Sequence, residues 1–220
     1  PEQDIIMSSK CRIAAIAAVS LSEVFSARVS MRGRRVAQIA ALTTLTTLAA
    51  PAAHADGEFL QYDRGPSDHT LVASIGRGSI SGGLTFSDYD GGAETTLSLT
   101  HAVPLDYGIT GRVGATLHFD DGEADPGLKI AAEQYLAQDW GGLFWLAEID
   151  SYRAGYFALM QAFPQGMPIN LELTASGHND GYHETSVATG FQINDGPVRL
   201  RTGVRLQAQE AFVGVSLNTF

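Results

Sequence analysis

From Asp56 onward the chain is dominated by alternation of apolar and polar residues with a period of two. It is clearest over Pro197–Gln207, where Val198, Leu200, Thr202, Val204 and Leu206 share one face and Arg199, Arg201, Gly203, Arg205 and Gln207 the other. Successive side chains of a strand point to opposite faces, so this pattern predicts β-structure. The same contrast recurs. Ile109, Gly111, Val113, Ala115, Leu117 and Phe119 oppose Thr110, Arg112, Gly114, Thr116 and His118, and Leu128, Ile130, Ala132 and Leu136 oppose Lys129, Ala131, Glu133 and Tyr135. Turn signals from Gly, Asp, Asn and Pro then predict strands near 78–88, 93–103, 107–119, 127–137, 141–151, 154–163, 168–178, 183–193, 197–207 and 211–220. The stretch 70–76 reads as another strand, or as the first half of a long one bent at Gly76 and Gly78. Residues 56–69 read as a polar extension.

Alternation alone does not separate a soluble sandwich, with its apolar face inside, from a membrane barrel, with that face in lipid. Three features favour the barrel. The polar faces are rich in Gly, Ser, Thr and Ala, with charges of both signs at Arg112, Lys129, Glu133, Glu148, Glu172, Glu184, Arg199, Arg201 and Arg205, as a narrow lumen requires; Lys129 is the single lysine after Asp56. Aromatic residues (Phe86, Tyr89, Tyr107, Phe119, Trp140, Tyr152, Tyr182) sit near strand ends, where interfacial girdles belong. Connections around Asp88–Glu94, Asp120–Pro126 and Gly177–His183 read as long acidic loops on one side, against mostly short turns on the other. The predicted fold is therefore all-β: an antiparallel up-and-down transmembrane β-barrel over 78–220, preceded by an extension or first strand at 56–77. About ten strands are expected, with eight or twelve as alternatives. A barrel of ten would have its lumen largely filled by side chains.

At Phe220 the sequence resembles the bacterial outer-membrane β-barrel superfamily, porin-like and OmpA-like barrels whose last strand ends in an aromatic residue. The resemblance implies a Gram-negative outer membrane, outer-membrane lipid as surroundings, and a barrel assembly machinery that reads Ala211–Phe220. Counting back by twos from Phe220 gives Asn218, Ser216, Gly214 and Phe212, whereas Val213, Val215 and Leu217 lie opposite. A bulge near Asn218 would restore the phase.

The N-terminal quarter is different. Arg32, Arg34 and Arg35, an uncharged stretch at Val36–Leu48 and Ala53-His54-Ala55 have the order of a cleaved Sec-type signal peptide, assigned to 31–55. Residues 1–30 read as upstream sequence or a misplaced start. The single Cys, Cys11, falls there, so the body has no disulfide or cysteine ligand. Six of the 14 Lys and Arg and three of the 24 Asp and Glu precede Asp56, so the net charge of the body is −13. That surplus argues against nucleic acid as a partner.

Candidate chemistry is thin, and no catalytic residue, metal or cofactor is assigned. His183 and Ser186 are spaced i, i+3, which on a strand sends them to opposite faces. Asp88, Asp90, Asp120, Asp121, His178, Asp180 and His183 supply the residue types of a barrel protease but are also what polar loops contain. Asp120–Asp125 offers oxygen ligands for Ca²⁺ without EF-hand spacing. The nine lumen charges form the main candidate site: Arg199, Arg201 and Arg205 with Glu172 and Glu184 would make a cross-barrel plug, or a filter selecting anions. The function expected is an envelope-structural, adhesive or small-solute pore role, with a lipid- or peptide-acting barrel enzyme or a soluble periplasmic β-sandwich binding domain as alternatives.

Overall fold

The computed structural model describes residues 56–220; the two assigned N-terminal segments, 1–30 and 31–55, lie outside the described residues. Twelve antiparallel strands close into one barrel: β1 (Gly57–Arg64), β2 (Asp68–Arg77), β3 (Ile80–Tyr89), β4 (Gly92–Pro104), β5 (Thr110–Asp120), β6 (Glu123–Gln138), β7 (Gly141–Asp150), β8 (Gly155–Pro164), β9 (Ile169–Gly177), β10 (His183–Gln192), β11 (Val198–Arg205) and β12 (Glu210–Asn218). Each strand pairs with its chain neighbours, and β1 closes on β12 with Phe59 opposite Asn218 and Arg64 opposite Val213. No strand edge is left open. In hydrocarbon, where an unpaired backbone N–H or C=O costs several kcal/mol, only such closure or a helix is viable.

The strand number is twelve, not ten. Each of the ten expected strands has a counterpart, and the two additions are β1, from the stretch read as a polar extension, and β2, from the stretch 70–76 read as another strand or the first half of a bent one. Their periodicity is weak for a visible reason. In β2 the run Leu71-Val72-Ala73 is apolar on both faces, since Leu71 lies opposite outward Tyr62 while Val72 lies opposite inward Gln61. Gly78 does not bend one long strand; with φ of +59° it opens a two-residue turn that pairs Arg77 with Ile80.

Two of the expected acidic loops are not loops. Asp90-Gly91 and Asp121-Gly122 are two-residue hairpin turns, with β3 to β6 running through the polar residues on either side. At the second turn Asp121 and Gly122 have φ of +47° and +88°, the left-handed geometry that makes Asp-Gly a hairpin signal. Glu94, Asp120, Glu123 and Asp125 therefore line strands, and the expected contrast of long and short loops between the two ends is absent. Both rims carry connections of two to five residues.

Burial is inverted relative to a water-soluble domain. Leu128 (67% exposed), Val213 (65%), Ile149 (59%) and Leu99 (57%) face outward, while Asp63, Glu172 and Arg201 are each only 6% exposed. A soluble sandwich would bury the first set, so that alternative is set aside. An outer surface of this kind is at rest in lipid. On it Tyr62, His69 and Phe86 form a tilted cluster with centroids 6.2 and 6.0 Å apart. Not every expected girdle residue belongs there: Tyr89 points inward opposite Asp68, and Tyr152 stacks on the inward His118.

The last strand has no bulge. Its pairing with β11 runs unbroken from Arg205–Glu210 to Val198–Leu217, and Val213 and Val215 are exposed on the outer face. Phe220 thus keeps the inward phase. Its ring lies over Gly57 and Gly76, at both of which an added Cβ would collide with it.

Candidate functional site: the charged lumen

All nine charges predicted to face the lumen do so by register, but most are tied along the wall instead of across the barrel. Arg201 is the centre of the largest group. Its two in-register neighbours are both glycines, Gly190 on β10 and Gly214 on β12. Without side chains there, the guanidinium reaches over each to the next strand. It donates from Nη1 and Nη2 to Glu172 on β9, at 2.9 and 2.7 Å, and from Nε and Nη2 to Asp63 on β1, at 3.0 and 3.3 Å. A Cβ on Gly214 would collide with Asp63 Oδ1, and one on Gly190 with Asn170 Oδ1. The triad therefore straddles the β1–β12 seam that closes the barrel.

The remaining charges pair more locally. Arg112 binds Glu133 on the adjacent strand at 2.6 Å and Ser81 at 2.7 Å, and Lys129 binds Glu148 at 2.9 Å. Arg205 binds Asp68 and lies 5.1 Å over the Phe212 ring. Arg199 donates to Asn170 at 2.9 Å and covers Phe163. Glu184 departs from the expected arginine network: its carboxylate instead accepts the backbone N–H groups of Gln207 and Ala208 in the β11–β12 turn.

Several lumen residues were not singled out from the sequence. Asp63 and Asp68 lie within 56–69, the stretch read as a polar extension, and fall on β1 and at the start of β2. His118 stood on the polar face of a recognised strand, so its orientation was legible; its surroundings were not. It is nearly buried, with Nδ1 3.0 Å from Thr96 Oγ1 and 3.7 Å from Glu94, and Nε2 3.1 Å from Thr116 Oγ1 and 3.3 Å from Asp150 Oδ2. The Tyr152 ring stacks on it at 4.2 Å. Asp150 Oδ2 is itself buried without a hydrogen-bond partner.

Charge is distributed unevenly along the axis. Around the waist and towards the rim where β1 begins and β12 ends, Arg112, Lys129, Arg199 and Arg201 balance Asp63, Glu133, Glu148 and Glu172. The opposite rim carries Asp68, Glu94, Asp120, Glu123, Asp125, Asp150, Glu184 and Glu210 inward, against Arg205 on a strand and Arg153 in the β7–β8 turn. Arg153 binds Asp120 at 2.7 Å and Asp180 at 3.4 Å. For Asp180 a burial penalty is outweighed by the Tyr182 backbone N–H, His178 and Arg153, which hold its carboxyl below the ordinary range. His178 contacts Asp180 and stacks on Tyr182 at 5.0 Å. A recess of about 340 Å³ beside the rim is lined by Asp120, Asp121, Glu123, Asp125, Tyr152 and Arg153. Among the described residues no three His, Cys, Asp or Glu are placed to hold a metal ion. His183 and Ser186 fall on opposite faces, Ser186 inward opposite Thr174.

The lumen is not packed solid. Among the described residues no large side chain is fully enclosed, and the only buried apolar ones are Ala131, Ala188 and Phe212. Paired wall charges such as Lys129 and Glu148 retain 17% and 23% exposure. Twelve strands at ordinary spacing and tilt give a backbone diameter of about 24 Å and, after wall side chains, a bore on the order of 10 Å. The expectation of a filled lumen came from a narrower barrel. Two more strands widen it.

No family model matches the chain, and no curated protein matches its sequence. Solved structures do match. A KdgM porin in complex with disordered oligogalacturonate superposes with a TM-score of 0.50 at 10% identity, covering 74% of this chain and 99% of that one. A second KdgM porin structure gives 0.48 at 11% identity, covering 74% and 99%, and the NanC porin 0.46 at 11%, covering 74% and 98%. The chain has the closed antiparallel barrel fold of the porin-like outer-membrane barrels.

Proposed function

We propose that this protein is a passive channel for small polar solutes in the bacterial outer membrane. The carrying observation is an apolar exterior around a polar, water-accessible bore without an apolar core. Membrane insertion follows from the first half of that pattern and permeation from the second. Residues 31–55 would direct Sec-type export, and the final strand with Phe220 would engage the assembly machinery. Residence in outer-membrane lipid completes this reading. An adhesive role is less well supported, because no connection among the described strands exceeds five residues and little would project from the membrane. The enzymatic alternative is less well supported, because His183 and Ser186, its candidate pair, fall on opposite faces of β10. The oligogalacturonate of the KdgM complex is not carried over. It is a polyanion, whereas this lumen carries more carboxylates than cations.

The test is current through planar bilayers containing the purified barrel. Stepwise conductance increments are expected, of a size suiting a bore on the order of 10 Å. Heat-modifiable protein that inserts but passes no current would refute the channel.

A further inference from the structure

Resting on the channel reading, we infer that the pore selects positively charged small solutes, and that the rim opposite the start of β1 and the end of β12 sets this preference. The argument turns on which lumen charges are already spent. Arg112, Lys129, Arg201 and Arg205 are each held by a carboxylate. An anion entering the bore would have to compete with those carboxylates for each of these cations. Of the three β11 arginines, Arg201 faces two carboxylates and Arg205 one, and only Arg199, which donates to Asn170 and lies over Phe163, has no carboxylate partner, so the strand as a whole is not the anion filter that its sequence suggests.

The carboxylates are not equally spent. Glu94, Glu123, Asp125, Asp150, Glu184 and Glu210 have no Lys or Arg within ion-pair distance among the described residues. They are distributed round the circumference on β4, β6, β7, β10 and β12. Asp150 adds a separate observation: one of its oxygens is buried with no hydrogen-bond donor, facing an imidazole that would need a second proton to neutralise it. The bore is comparable to the Debye length at 0.1 M salt, about 10 Å, so the field of such a ring spans the whole opening. In 1 M salt the length falls to about 3 Å and the centre of the bore is screened. Mobile cations are therefore enriched at the mouth and anions depleted, without any ion being coordinated.

The experiment is the reversal potential of the purified full barrel in planar bilayers under a KCl gradient. Cation preference is expected near 0.1 M salt, decaying towards none near 1 M. The triple variant E94Q/E123Q/D125N, all at water-accessible positions, should reduce it while leaving single-channel conductance at 1 M unchanged. A reversal potential of zero or of anion sign at low salt, in a barrel that conducts, would overturn this inference and leave the channel intact. Unaltered selectivity in the triple variant would overturn the assignment to the rim. Absence of any current would instead sink the channel reading, and this inference with it.

Discussion

Replacing Arg201 by Met is the most searching perturbation of the wall. The side chain is 4% exposed, as is Glu172, and Asp63 is 8% exposed, so water does not reach the vacated charges. The change removes four charge-assisted hydrogen bonds, each worth about 1.5–3 kcal/mol. Two carboxylates would then face each other without a cation. Relaxation towards the lumen water recovers part of the gross loss, and breaking a buried pair from one side leaves a net cost of about 3–5 kcal/mol. The assay is equilibrium urea unfolding in lipid vesicles, with the folded fraction read from gel mobility before and after boiling. A lower midpoint at unchanged slope is expected, because the exposed surface does not change. The variant R201M/D63N/E172Q should regain most of the stability, since it removes the orphaned charges as well. An R201M midpoint equal to wild type would show that the triad contributes nothing to closing the seam. Equal loss in single and triple variants would assign the effect to packing instead of charge.

Gly214→Val places a branched side chain where Asp63 and Arg201 cross β12. It should cost about 1–3 kcal/mol by overpacking in the same urea assay, and a neutral result would mean the crossing is not constrained. Ile130→Arg puts a charge on the outer face at a residue 56% exposed, with an expected loss of about 2–4 kcal/mol if that face meets the bilayer midplane; stability unaltered in vesicles would contradict the lipid assignment. For Asp180 the folded carboxyl lies below its ordinary range, so its stabilisation is present above the unfolded value and is lost as pH falls through the folded one. The protection of the Tyr182 N–H relative to its intrinsic exchange rate at each pH, which reports its donation to Asp180 at 3.3 Å, should fall in acid and in D180N at neutral pH; protection independent of pH and of that substitution would remove the contact from solution. Deleting Phe220 should lower the yield of folded barrel in cells more than refolding into pure lipid vesicles, and equal effects would make its role one of packing over Gly57 and Gly76.

Much of the barrel was legible because a membrane exterior forces one apolar face on every strand. That pressure acts on the outer face alone. Where the inner face is also apolar, as at Val72, or the outer face carries charge, as at Glu58 and Arg64, the period weakens, so β1 reads as an extension and 70–76 as either a separate strand or half of a bent one. The acidic stretches around Asp90-Gly91 and Asp121-Gly122 failed for the complementary reason. Their polarity signals water, and a water-filled lumen satisfies that signal as well as a loop does. The same ambiguity governs the candidate site. All nine charges occupy the alternate positions of their strands that the period of two assigns to one face, since facing is a property of one strand. Partnership is a property of three or more. Arg201 reaches Glu172 and Asp63 only because the residues beside it on β10 and β12 are both glycine, a coincidence set by the register of four pairings that no single strand encodes. Under the proposed channel function, what the barrel admits would depend on that difference, because charges that find partners along the wall cease to act on solutes and those left without partners set the field.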